Sequence, residues 1–196
     1  AWLLNYSPEC WIAAFLDKEP ESRKEAAISL AQKYGFAIEN ININTSTSQW
    51  EISDDGKTLI QPFSSIKGLG DKAIEQIMNN RPFNTVEDLL FNEEILYSKL
   101  NKKAINVLCL SGALDPLADA RFNGCKHFWK SCVETRPKNI KKLEENIKEF
   151  SNENDFLIEE KIDHVSSLTG IFPFNLVMTK AIRESIKKYM VPSISS

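Results

Sequence analysis

Apolar positions recur along most of this chain every three or four residues, the spacing of one face of an α-helix. Pro8 opens the first such stretch, which carries Cys10, Trp11, Ala14, Phe15 and Leu16. Glu19-Pro20-Glu21-Ser22 breaks it. The pattern resumes over residues 22–34 with Ala26, Ala27, Leu30 and Ala31 inward and Gly35 past the end. Between residues 36 and 63 the spacing changes. Phe36-Ala37-Ile38 is a short apolar run, and residues 40–48 read as a polar loop. Trp50-Glu51-Ile52 and Thr58-Leu59-Ile60 alternate around Asp54-Asp55-Gly56-Lys57, a β-hairpin signal. Helical spacing then returns at Ala73, Ile74, Ile77 and Met78. It continues behind Thr85, a helix cap, at Val86, Leu89 and Leu90, and again at Leu100, Ala104, Val107 and Leu108. Residues 117–133 are predicted helical. Ile140, Leu143, Ile147 and Phe150 mark an amphipathic helix. A polar linker covers 151–155, and two more helices are predicted at 159–172 and 178–189, broken near Pro173. The fold class is mainly α, a helical chain with a small β-hairpin.

The stretch with the most chemistry is Ile66-Lys67-Gly68-Leu69-Gly70-Asp71-Lys72-Ala73-Ile74-Glu75-Gln76-Ile77. It reads as a short helix, a glycine turn and a second helix. Gly68 and Gly70 allow backbone angles that side chains oppose. A helix start leaves N–H groups without partners and carries positive dipole, so phosphate is a natural ligand there. Lys67 and Lys72 flank the turn. A dinucleotide fingerprint is not expected, since Lys72 and Ala73 stand where its third glycine belongs. The pattern resembles the helix-hairpin-helix motif, a reader of DNA backbone; an ordinary helix start between a strand and a helix is the other reading. Lys99-Leu100-Asn101-Lys102-Lys103 before Ala104 looks like a degenerate second copy, with Asn101 in place of glycine and three lysines at the turn. A solvated helix start is its alternative. The candidate DNA-binding residues are Lys67, Gly68, Leu69, Gly70, Asp71, Lys72, Lys99, Asn101, Lys102 and Lys103, with backbone N–H groups of Gly68, Leu69, Gly70 and Asp71 as donors.

Composition narrows this. A net charge of −3 over 196 residues argues against a uniformly basic surface, so any nucleic-acid contact must be local. Four cysteines without repeated spacing do not form a disulfide scaffold, and a reduced, cytoplasmic setting is expected. No apolar run approaches the ~20 residues of a membrane span. No signal peptide is evident, and the chain looks like a piece of a longer protein. Cys125, His127 and Cys132 lack zinc-finger spacing and are expected to be free. Asp54-Asp55 is explained by its turn, which leaves no catalytic residues among the candidates.

Taken together, the segments resemble one family, the alpha subunit of bacterial DNA polymerase III, a C-family replicative polymerase. Tyr6-Ser7-Pro8-Glu9-Cys10-Trp11-Ile12-Ala13-Ala14-Phe15-Leu16 is similar to a stretch near the end of its fingers. Ile66-Lys67-Gly68-Leu69-Gly70 is similar to its first hairpin, and Pro82-Phe83-Asn84-Thr85-Val86-Glu87-Asp88-Leu89 to the segment that follows. Leu100-Asn101-Lys102-Lys103 and Ser111-Gly112-Ala113-Leu114-Asp115 resemble its second hairpin. The resemblance covers residues 1–118 well and thins afterwards. It implies the end of the fingers at 1–60, a tandem helix-hairpin-helix DNA-binding domain at 61–118 and a helical extension at 119–196. It also implies a parent enzyme that is a DNA-directed DNA polymerase using Mg²⁺, its palm carboxylates lying outside this chain, so that this stretch is inactive alone. The expected partners are primer–template duplex and other domains of the parent, with no membrane. Clamp contact is not expected, because no Gln-x-x-apolar-aromatic peptide occurs. The resemblance further implies a monovalent cation held by carbonyls of Ser64, Ile66 and Leu69. Two other classes are a helix-hairpin-helix module of a DNA repair protein and a structural or partner-binding helical domain.

Overall fold

The structure is a computed structural model and describes residues 8–177. The helix expected at 178–189 and the placement of Trp2 lie outside the described residues. The fold is mainly α, with one small sheet. Helices α1 (Pro8–Lys18) and α2 (Glu21–Lys33) form an antechamber to strands β1 (Ala37–Glu39), β2 (Glu51–Ile52) and β3 (Thr58–Ile60). The strand order is β1-β3-β2. The hairpin forms as its Asp-Gly turn predicts, with Glu51 opposite Ile60 and Ile52 opposite Leu59. The Phe36-Ala37-Ile38 run supplies the third strand, parallel to β3, with Ile38 beside Leu59. Leu59 is therefore central and fully buried. It shares a small core with Ile12, Leu16, Ala27, Ile28, Ala31 and Trp50. Ala26 is exposed and Leu30 half-buried, contrary to the periodic expectation, and Ile28 is buried instead. Among the described residues, α2 packs against α1 and β1, and the side chains on that edge, Ala27, Ile28 and Ala31, are the ones buried.

The second and larger core belongs to the hairpin region. A 3₁₀ turn (Phe63–Ser65) leads into α3 (Asp71–Asn80), α4 (Val86–Leu90) and α5 (Lys102–Leu110). Phe63, Ile66, Ile77, Leu89, Leu100, Leu108 and Leu114 are fully buried there. Each such side chain contributes about 1.5–3 kcal/mol by leaving water. The core runs past both sequence divisions at 61 and 118. Ile41 and Ile43 enter it from upstream, and Phe128, Val133 and Leu143 from downstream. The polar loop at 40–48 is thus a wedge. Asn44 clamps the backbone of Phe83 from both sides, accepting its N–H and donating to its carbonyl, each at 2.8 Å.

Downstream, residues 117–133 depart from the single helix expected. A 3₁₀ turn (Asp115–Leu117) is followed by an irregular stretch, then α6 (Cys125–Phe128), which continues as a π-helical segment (Trp129–Glu134). The break sits at Gly124, whose φ is +119°. A Cβ there would lie 2.6 Å from Cγ of Asp155, so no side chain fits. Asp155 in turn accepts the N–H of Lys126 at 3.0 Å and ion-pairs with Lys161. That cluster ties α6 to α8 (Ile158–Thr169). Between them lies α7 (Ile140–Glu149), amphipathic as predicted. Its first apolar position, Ile140, is 53% exposed, while Leu143 and Ile147 pack on the core and Asn146 is buried. A short α9 (Phe174–Val177) follows Pro173. Among the described residues, no helix is long and apolar enough to cross a membrane.

Candidate nucleic-acid interface

Local chemistry builds the first turn. The N–H of Ile66 returns to the Phe63 carbonyl at 2.9 Å, and that of Leu69 to Ile66 at 3.2 Å. Gly68 lies between at φ +86°, left-handed backbone that opposes a side chain. Gly70 caps α3 from extended backbone, φ −89° and ψ 154°, which any residue adopts. The expectation that both glycines need special angles therefore holds for Gly68 alone. A Cβ at Gly70 would meet nothing within 4 Å. The Gly70 carbonyl accepts from Ala73 and Ile74 at 2.9 and 3.2 Å, closing the first turn of α3. Among the described residues, the N–H groups of Gly68, Gly70, Asp71 and Lys72 reach no protein acceptor. Leu69 does not join them. Its N–H is spent on Ile66, and its side chain is 9% exposed and packed in the core.

The second turn is a variant of the same construction. Lys99 and Leu100 donate their N–H groups to Leu96 at 2.8 and 3.0 Å. Asn101 then caps α5, its side-chain oxygen accepting the N–H of Ala104 at 3.0 Å. Asn101 and Gly70 are thus equivalent: each is the last extended residue before a helix. Asn101 takes the N–H of Ala104 with its side chain, whereas the matching N–H of the first turn, that of Ala73, is taken by the Gly70 carbonyl.

The fold brings the two turns side by side. A Cβ at Gly68 would lie 3.8 Å from Cε of Lys103 and 4.0 Å from Val107. Lys67, Gly68, Gly70, Asp71, Lys72, Lys99, Asn101, Lys102 and Lys103 are all exposed. Five of these are lysines, set against Asp71 alone, so the face is cationic although the whole chain is at −3. Among the described residues no ion pair engages those lysines. Arg121 bridges Glu87 and Asp119 at 2.7 Å each, and its hydrogen bonds hold both carboxyls below their ordinary range.

Two supports come from far along the chain. The backbone N–H of Lys67 donates to the Leu168 carbonyl, in the last turn of α8, at 2.8 Å. The Lys102 ammonium donates to the Glu134 carbonyl at 2.7 Å, at the end of the π-helical segment. Neither was visible in the sequence, because no local pattern encodes a bond across 32 or more residues. At the carbonyls expected to face a monovalent cation, Ile66 already accepts one N–H and keeps one lone pair.

The cysteines and histidine near residue 130 do not converge. His127 is buried, accepts the Asn123 N–H at Nδ1 and contacts the Ile147 carbonyl from Nε2, both at 2.8 Å. That network assigns the ring proton to Nε2 and occupies both nitrogens. Cys132 is a core residue whose thiol burial pushes upward. No three His, Cys, Asp or Glu residues among those described form a metal cluster.

Paired helix starts joined by a glycine turn define this protein's class. A helix-hairpin-helix motif family model matches residues 35–123. The chain carries a helix-hairpin-helix domain. Over a longer span it is similar to DNA polymerase III subunit alpha of Pseudomonas aeruginosa, 29% identical over 60% of the chain and 10% of that protein. The Pseudomonas fluorescens subunit is 25% identical over 76% of the chain and 13% of its own length. A PolC-type DNA polymerase III of Mycoplasmopsis pulmonis is 40% identical over 29% of the chain and 4% of its length. The chain is a relative of the DNA polymerase III alpha subunit, and it spans about a tenth of the curated relatives it matches.

Proposed function

We propose that the 61–118 unit grips the sugar-phosphate backbone of duplex DNA without reading its sequence, as part of a replicative DNA polymerase. The observation that carries this is the adjacency of the two turns: a row of N–H groups at Gly68, Gly70, Asp71 and Lys72, and four exposed lysines, Lys67, Lys72, Lys99 and Lys103, which among the described residues have no acceptor and no ion pair. Phosphate contacts fix position and carry no sequence information. That suits an enzyme that must slide over any template. On this reading residues 1–60 finish the fingers, and the polymerase's Mg²⁺ is held by carboxylates elsewhere in a longer protein. Asn101, Lys102 and the side chain of Lys103 serve the second strand, and Leu69 serves as the anchor of the first turn.

The test is fluorescence anisotropy of the full chain with blunt duplex over a salt series. About four to five neutralised phosphates give a log–log slope near −4. Lys67→Glu/Lys72→Glu should flatten the slope and abolish binding at moderate salt. Binding that ignores the double substitution would move the hairpin to a purely structural role. A potassium-for-lithium exchange that leaves duplex affinity unchanged would remove the cation at Ser64, Ile66 and Leu69.

A further inference from the structure

Beside the second turn lies a cleft of about 420 Å³, between α4, α5 and the segment that follows the π-helix. Its floor is apolar, with Phe91, Tyr97 and Ile105, and its rim holds three cations, Lys102, Arg136 and Lys138. Among the described residues no Asp or Glu lines it. The Tyr97 hydroxyl is fixed by donating to the Leu89 carbonyl at 3.0 Å, which holds the ring still. Lys102 is likewise pinned at the rim, through the Glu134 carbonyl. Arg136 has φ +47°, the one non-glycine residue of positive φ among those described, and it precedes Pro137. A left-handed arginine before proline is disfavoured twice over. Strained backbone of this kind concentrates where a side chain must be aimed. The guanidinium is exposed and enters no ion pair among the described residues.

We infer that this cleft takes a nucleotide of single-stranded DNA at the edge of the duplex held by the hairpins. The phosphate would sit on Arg136, Lys138 and Lys102, and the base on the Phe91 and Tyr97 floor. The inference rests on the duplex-gripping reading, since Lys102 belongs to both surfaces and places the cleft next to the phosphate-facing turns. The chemistry selects this ligand. Single-strand sites combine a basic groove with aromatic surface for the base, because an unpaired base offers its face. A paired base does not, so blunt duplex cannot use the floor. The volume falls in the range of small-molecule sites, about 300–1,000 Å³, which accommodates one nucleotide and not a stretch of strand.

Arg136→Gly is the informative variant, because it deletes the guanidinium while relieving the positive φ. Anisotropy would be measured for the full chain with blunt duplex and with the same duplex carrying a single-stranded overhang. Wild type should favour the overhang, and Arg136→Gly and Phe91→Ala should each lose that preference by about tenfold, the scale of one stacked base. Blunt-duplex affinity should hold for both, and thermal unfolding of Arg136→Gly should occur no lower than in wild type. Equal affinity of wild type for both probes overturns the inference, as does an overhang preference that survives both substitutions. Displacement of the overhang by poly-glutamate but not by oligo-dT would also overturn it and assign the cleft to an acidic protein segment. Failure of the hairpin reading is separate: it appears as blunt-duplex binding insensitive to Lys67→Glu/Lys72→Glu.

Discussion

At single positions, backbone angle separates residues that look alike. Gly68 and Gly70 stand two apart in one motif, yet only Gly68 has positive φ. Gly68→Ala should cost about 1–2 kcal/mol of stability through left-handed strain. Gly70→Ala should leave stability within about 0.5 kcal/mol, because a poorer cap is offset by a less free unfolded chain. If a phosphate approaches the turn, Gly70→Ala weakens duplex binding all the same, since its Cβ would fill the open space above the unpaired N–H groups. Thermal melts and anisotropy on the two variants separate these effects. A stable Gly70→Ala with unchanged duplex affinity would show that no ligand approaches the backbone there.

Elements of this fold are set by short-range rules where they are accurate and by distant partners where they are not. Thr85 caps α4 as expected, and with Asp88 it forms a reciprocal capping box. Thr85→Ala should cost about 1 kcal/mol. Asn44→Ala should cost more, about 2 kcal/mol, since it orphans the N–H and the carbonyl of Phe83, a fully buried residue 39 positions away. Chemical denaturation of both variants tests that order, and equal losses would remove the wedge role assigned to the loop. The hairpin, the Thr85 cap and α7 were legible in the sequence, because turn chemistry and amphipathic spacing are local. The broken helix at 117–133 was not. Its apolar spacing is helical, and what interrupts it is the approach of Asp155 to Gly124, thirty-one positions on by number.

For the molecule as a whole, titration ties the described surface to stability in two opposed directions. Hydrogen bonds from Arg121 hold the Glu87 and Asp119 carboxyls low, and backbone N–H groups do so for Asp88. Burial opposes this at Asp155, but Lys161 and two N–H groups outweigh it. These groups bind protons less tightly folded than unfolded, so their stabilisation is present above pH ~4 and is lost as pH falls through the lowered folded values. Asp115 behaves oppositely. Crowding of its carboxyl raises it to about 6 although the residue reaches solvent. The folded state then takes up that proton first, and stability declines as pH rises from about 4 to 6. Asp115→Asn should remove that decline and raise stability near neutrality by up to about 1 kcal/mol, discounted for solvent screening. Melting temperatures of both proteins across this range give the answer, and parallel curves would refute it.

The amino-acid sequence by itself determined the mainly helical class, the Asp-Gly hairpin, the two helix starts and the lysines at them. Each is encoded within a few residues, by periodicity, turn chemistry or capping. Tertiary structure alone decided that Gly68 lies against Lys103, that Leu168 anchors the backbone of Lys67, and that Arg136 joins Lys102 at one cleft. Those juxtapositions depend on packing of the shared core and on bonds across long loops, and a linear pattern carries no term for either.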